Sequence, residues 1–222
     1  MGKEDNILVV DKDCLFAEHS EFFGFIPHGN YDFESRILNP DNYRFTRRGT
    51  PDEDPSVSAE ANTVLKQPIR YVVIVNSNMK KVFAYKRISM DEDPNKIESR
   101  LAGKWSWGVG GHIEECDTEG NFIHNSMIRE ISEEVEFVNG SIQKVSPLGY
   151  INDSDFVGRV HFGLLYLIET DASEVKPISE ASAGRFHSLK ELETILENHD
   201  CVVEGWSKIA LEPLKEYFER LN

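Results

Sequence analysis

The chain has 222 residues, of which 40% are hydrophobic and 28% charged, and it carries a formal net charge of -15 at pH 7. That length and apolar content suit one large globular domain, or one domain with additions, and do not suit a disordered chain. The acidic surplus repels polyphosphate chains and anionic surfaces at long range, which argues against double-stranded nucleic acid and against a membrane as partners.

Cys14, Cys116 and Cys201 are widely spaced and form neither a disulfide framework nor a CxxC-type zinc pattern. The opening stretch MGKEDNILVVDKDCLF has acid ahead of an apolar run too short for a signal peptide or a membrane span, so a cytoplasmic, reduced protein is expected. Residues 1–66 combine the run Asn6 to Val10 with aromatic, turn-rich sequence, and are expected as an N-terminal extension to a domain spanning 67–222. Within them, Arg47 to Ser58 is expected as an exposed loop, because Pro, Gly, Asp and Ser dominate it. Arg44, Arg47 and Arg48 form a basic cluster that could clamp a polyphosphate, although an unfixed loop explains it as well.

Tyr71 to Asn76 and Lys81 to Arg87 read as β-strands joined by a hairpin-length turn. Asp91 to Asn95 reads as a loop. Lys104 to Glu114 holds two tryptophans and then three glycines in four positions, which implies a strand ending in a tight, backbone-exposed turn. Trp105 and Trp107 alternate toward one face, where base stacking and core packing are both open. A loop over Glu115 to Asn121 leads into a helix from Phe122 to Glu136, with Ile123, Met127, Ile128, Ile131 and Val135 as its apolar stripe. Strands follow at Ile142 to Ile151 and Val160 to Glu169, and Arg185 to Leu189 is a short strand or helix entry. The remainder is helical, with one face on Leu189, Leu192, Ile195 and Leu196 and another from Trp206 to Leu221. The order indicates an α+β chain, an α/β/α sandwich with a mixed β-sheet.

The predicted helix ends in REISEEVEF, which puts Glu130, Glu133 and Glu134 on roughly one face. Each like-charge pair at that spacing opposes the helix by roughly 0.2–0.5 kcal/mol unless a cation sits against it. Behind GVGGHIE, this stretch resembles the signature of the Nudix hydrolase family, G-x5-E-x7-R-E-U-x-E-E-x-G-U, where U is a bulky apolar residue. Arg129, Glu130, Ile131, Glu133, Glu134 and Phe137 match, whereas Glu136 stands where the family has glycine. In the first half Asp117 replaces glutamate, and eleven residues rather than seven separate it from Arg129. The N-terminal segment and the GGHIE loop are similar to the bacterial members labelled predicted phosphoesterases.

The resemblance implies a metal-dependent hydrolase of a phosphoanhydride, either a nucleoside diphosphate linked to another moiety or a similar pyrophosphate. Mg2+ or Mn2+ would be the cofactor, since both take hard oxygen ligands. By the same resemblance Glu130 and Glu134 are the leading ligands, Glu133 is a ligand or a water-orienting base, and the Gly110 carbonyl is a further ligand. Arg129 would pair with Asp117, with Glu114, Glu115 or Glu119 as substitutes. The catalytic base is sought beyond the helix, at Glu180 first and Glu169 second. His112, Lys86, Arg87, Arg100 and Lys104 could meet phosphate, and ordinary surface or hydrogen-bonding roles explain each equally well. The substrate is expected to be small, phosphorylated and nucleotide-like, and a homodimer built on the N-terminal segment is allowed by analogy. The departures at Asp117 and Glu136 motivate a second class, a Nudix-like nucleotide-binding or regulatory module without turnover.

Overall fold

A computed structural model describes residues 2–17, 19–88, 101–178 and 181–221. In chain order the strands and helices are β1 Asn6–Asp11, α1 Lys12–Phe16, β2 Gly24–Pro27, α2 Phe33–Leu38, β3 Tyr43–Arg47, β4 Leu65–Asn76, β5 Lys81–Arg87, β6 Trp105–Ser106 and β7 Val109–His112. They continue with α3 Phe122–Glu134, β8 Val135–Val138, β9 Ile142–Asn152, β10 His161–Thr170, β11 Glu174–Pro177, β12 Ala181–His187, α4 Leu189–Glu197 and α5 Gly205–Glu219. The architecture is α+β, a mixed sheet with helices. The chain divides into two compact units, Met1–Arg70 with Gly110–Arg129 and Gly149–Leu164, and Tyr71–Val109 with Glu130–Leu148 and Leu165–Asn222.

In the first unit β1 is a continuous apolar run because it is covered on both sides: Ile7, Leu8, Val9 and Val10 are all buried. It pairs antiparallel with β3, from Asn6 opposite Arg47 to Val10 opposite Tyr43, and touches the start of β4 at Lys66. Leu8 N–H donates to the Ile113 carbonyl, which ties the segment after β7 to the same strand. β2 pairs with β9, Phe25 opposite Ile151, and the sheet here runs β4-β10-β9-β2. The aromatic sequence that looked turn-rich folds into a ring cluster, in which Phe33 lies edge-on at 4.9 Å from Tyr150 and 5.1 Å from Phe162. The segment from Arg47 to Ser58 is turns after β3, but it is not uniformly exposed. Arg48 and Ser58 are buried, and Ser58 Oγ donates to the Thr50 carbonyl at 2.8 Å.

In the second unit β5 is flanked by β12, with Phe186 opposite Phe83, and by the end of β4, with Val75 opposite Val82. The expected hairpin of β4 and β5 forms, and β4 begins at Leu65, ahead of the apolar run that marked it. Ser188 opens α4 with a reciprocal capping box to Glu191. A buried polar network lies beneath α5: the Tyr71 hydroxyl is 2.6 Å from Ser207 Oγ and 3.2 Å from Ser106 Oγ, and Ser106 Oγ donates to Glu204 at 2.8 Å. Of the predicted helical faces, Leu192, Ala210, Leu214 and Phe218 are buried, whereas Leu196 and Leu221 are exposed. The helix and strands around REISEEVEF also shift. α3 stops at Glu134, two residues short of expectation, and Val135 and Glu136 open β8, where Glu136 faces Lys176 of β11.

Candidate active site

The glycine stretch forms a strand rather than a turn. Gly110 and Gly111 lie inside β7, and neither adopts the left-handed backbone that Gly103, with φ of 71°, adopts before it. Gly108 is required for a different reason. A Cβ there would lie 2.1 Å from the Tyr71 ring, and the Gly108 carbonyl accepts from the Tyr85 hydroxyl at 3.1 Å. Arg70, buried on β4, donates to the carbonyls of Gly111 at 2.6 Å and His112 at 2.8 Å, fixing the strand's path.

Asn121 starts α3, its side chain accepting from the His124 N–H at 3.1 Å. Ile123, Met127 and Ile131 form the buried stripe, while Ile128, expected within it, is exposed. Immediately before the first of the carboxylates, Arg129 makes a two-pronged contact with Asp117, Nε to Oδ1 and Nη2 to Oδ2, each at 3.0 Å. The same guanidinium reaches Glu114 at 3.2 Å and the His112 carbonyl at 3.3 Å. Asp117 is thus the partner expected for Arg129, with Glu114 as a second one. The loop inserted before the helix reaches it because a 3-10 turn over Glu115–Asp117 is closed by a reciprocal capping contact between Glu114 and Asp117. Burial by itself would raise the Asp117 pKa, but hydrogen bonds from Arg129 and the Glu114 N–H outweigh it and hold the carboxyl below its ordinary range.

Glu130, Glu133 and Glu134 occupy the last turn of α3, Glu130 and Glu134 half-buried and Glu133 exposed. The C-terminal end of this turn is held by the Ile178 N–H, which donates to the Glu134 carbonyl at 2.8 Å. Three hard oxygen donors at this spacing fit Mg2+ or Mn2+ by donor chemistry. Glu180 lies outside the described residues, as do the Asp91 to Asn95 loop and Arg100. Glu169 accepts from Ser77 Oγ at 3.1 Å and pairs with Lys144 at 3.5 Å.

Several other sequence candidates are placed elsewhere. Trp107 is buried, its backbone N–H donating to Ser207 Oγ at 3.1 Å, so core packing accounts for it, and Trp105 lies edge-on against His187. Arg87 is bonded to Glu204, whereas Lys86 is exposed and Lys104 half-buried. The basic cluster is neither a loop without contacts nor a clear clamp: Arg44 pairs with Asp11 at 2.9 Å, Arg47 with Glu4 at 2.8 Å and Arg48 with Glu60 at 3.0 Å. Cys116 is exposed, and partial burial of its thiol together with the neighbouring Asp117 charge pushes its pKa up, away from a nucleophilic thiolate. Arg70, Glu60 and His161 were missed from sequence, since each is a single polar residue in a separate segment with no local pattern around it.

No family model matches the chain. Protein YmaB of Bacillus subtilis (strain 168) is 33% identical over 229 residues, covering 97% of this chain and all of that protein. The crystal structure of Tm1382, a candidate Nudix hydrolase, superposes with a TM-score of 0.69 at 29% identity over 96% of this chain and all of the other. The NUDIX domain of Shewanella oneidensis NrtR, solved with ADP ribose, shares the fold at a TM-score of 0.51 and 16% identity, over 71% of this chain and 89% of that one. The chain belongs to the Nudix hydrolase family. No helix among the described residues is long and apolar enough to cross a membrane.

Proposed function

We propose that the protein is a pyrophosphohydrolase that cleaves a phosphoanhydride in a small, nucleotide-like substrate, with Mg2+ or Mn2+ held by Glu130, Glu133 and Glu134. The observation that carries this reading is the last turn of α3, three carboxylates in sequence behind an arginine that Asp117 holds from two sides. Carboxylates at this spacing repel one another along the helix, and a divalent cation shared among them would turn that repulsion into attraction. When bound, the metal would neutralise phosphate charge and lower the pKa of a water. Arg129 positions the helix end by its grip on Asp117 and on the His112 carbonyl, and so sets where the carboxylates project. Glu133, the exposed member of the three, is the residue of this turn best placed to orient a water, and Glu180 is proposed from sequence alone to accept its proton. Residues 1–66 are proposed as an N-terminal extension to the 67–222 domain.

The test is a panel of nucleoside triphosphates, dinucleoside polyphosphates, nucleotide sugars, ADP-ribose, coenzyme A and 5′-triphosphorylated RNA, each with Mg2+ and with Mn2+, read by phosphate, pyrophosphate or nucleotide release. ADP-ribose belongs on it because the NrtR domain holds it. Metal-dependent turnover of one substrate class, lost by about 10^2-fold or more in the Glu133→Gln/Glu134→Gln variant, is expected. Tight binding of a panel member without turnover would overturn the enzyme reading in favour of a binding or regulatory module. Full activity in the double variant would overturn the assignment of the site.

A further inference from the structure

We infer that Glu60, His112 and His161 form a buried site for one divalent transition-metal ion of the Zn2+ class, separate from the hard-cation site proposed on α3. All three side chains are buried, and their metal-ligating atoms lie within 4.8 Å of one another. They come from three segments of the first unit: the turn before β4, the end of β7 and the start of β10. His161 Nε2 is 3.8 Å from Glu60 Oε1. Two atoms each bonded to one ion at about 2.0–2.2 Å are separated by roughly 3–4 Å, so this pair already has a ligand-to-ligand spacing.

The hydrogen bonds at the outer nitrogens favour ligation. His161 Nδ1 lies 2.6 Å from the Val157 carbonyl, which can only accept, so Nδ1 carries the proton and Nε2, toward Glu60, is the lone-pair nitrogen of the neutral ring. His112 Nε2 lies 2.8 Å from Gln67 Oε1, which in the same way makes Nδ1 the ligating atom. A ligating histidine that donates its other N–H to a carbonyl is the arrangement that fixes ring orientation and raises ligand basicity. The backbone is held as well. Buried Lys66 donates to Asn152 at 2.8 Å and to the carbonyls of Arg159 at 3.0 Å and His161 at 3.3 Å, while Arg70 and Arg129 hold the His112 carbonyl. Arg48 Nε donates to Glu60 Oε1 at 3.0 Å, and a carboxylate with about four lone-pair directions accommodates that donor together with a metal. Two imidazoles and a carboxylate select zinc, iron or nickel over magnesium, so the two proposed sites differ in the ions they take. A bound ion would fasten the turn before β4 to β7 and β10.

The experiment uses the full chain, stripped with chelator and kept in millimolar Mg2+, titrated with Zn2+ by calorimetry and with Co2+ by visible absorption. One equivalent is expected to bind, with the d–d bands of a low-coordinate cobalt site. His161→Ala, His112→Ala and the nearly isosteric Glu60→Gln should each weaken binding by about 10- to 100-fold or more and remove the bands. Near-UV circular dichroism identifies which variants keep their packing, and Glu60→Gln keeps the test usable should a histidine variant unfold. The Glu130→Gln/Glu133→Gln/Glu134→Gln variant should bind Zn2+ as the wild type does. Absence of Zn2+ binding, or binding retained in a folded Glu60→Gln or His161→Ala variant, overturns the proposal and leaves the cluster as an ion-pair network around Arg48. Loss of binding in the α3 variant alone would place the zinc on α3 and also overturns it. Since turnover is not read, failure here is distinct from failure of the hydrolase reading.

Discussion

Two buried charges, Asp117 and Lys66, show how the first unit uses electrostatics to position main chain. Asp117 is almost fully buried against a half-buried Arg129, so removing the anion leaves a guanidinium without its two-pronged partner. Asp117→Asn should lose about 1–3 kcal/mol of stability in urea denaturation at pH 7. Because the folded carboxyl titrates below its unfolded value of about 3.9, its contribution is present above that value and disappears as pH falls through the folded one. The gap between wild type and Asp117→Asn should therefore close in strongly acid solution, and a gap unchanged from pH 7 to pH 3 would contradict this account. Lys66 behaves in the opposite sense. Burial pushes its pKa down to about 8, with the Glu21 charge opposing the shift. Between that value and the ordinary one the unfolded chain binds the extra proton, so stability should rise with pH. From pH 8 to pH 10 the gain amounts to roughly 2–3 kcal/mol, and Lys66→Met should abolish it in guanidinium titrations at constant salt. Buried Tyr71 and Tyr85, held protonated, act against the rise only at still higher pH.

α3 and its flanks separate what a linear pattern can carry from what it cannot. The buried stripe and the carboxylates were legible because helical periodicity is local. The end of the helix was not, since Val135 to Val138 leave it to pair with β11, a partner nearly forty residues away in sequence. The pairing also accounts for Glu136 where the family has glycine: the position is a strand residue facing Lys176. Glu136→Gly should then cost about 0.5–1.5 kcal/mol, from the lost cross-strand pair and the flexibility of glycine in a strand, read as a lower thermal midpoint. A gain in stability from this change would refute the explanation. β7 follows the same logic. Gly110 and Gly111 read as a tight turn but lie in the strand, and Gly108, just before it, is needed for the Tyr71 ring, which no spacing rule links to it. Gly108→Ala should destabilise by about 2–4 kcal/mol, measured by chemical denaturation.

At the scale of the whole molecule, the sequence disclosed the family through one continuous motif and left the N-terminal third unread. That third pairs β1 with β3 across the α1–β2–α2 segment, bonds Leu8 to Ile113, and packs Phe33 on Tyr150 and Phe162, so its contacts are non-local and leave no periodic trace. Net charge, by contrast, is a sum over residues and is fully legible, and at -15 it sets the approach of any anionic substrate. At about 0.01 M salt the screening length is about 30 Å and the acidic surface repels a polyphosphate over the whole approach, while at about 0.15 M it falls to about 8 Å. With free Mg2+ held constant and saturating, kcat/KM for the substrate found in the panel should rise several-fold across that range while kcat stays level, because screening acts on encounter rather than on the bound complex. An enzyme that drew its substrate in with a basic surface would show the reverse slope. A fall in kcat/KM with salt would mean that a local cationic field, and not the summed charge, governs approach to the carboxylate turn of α3.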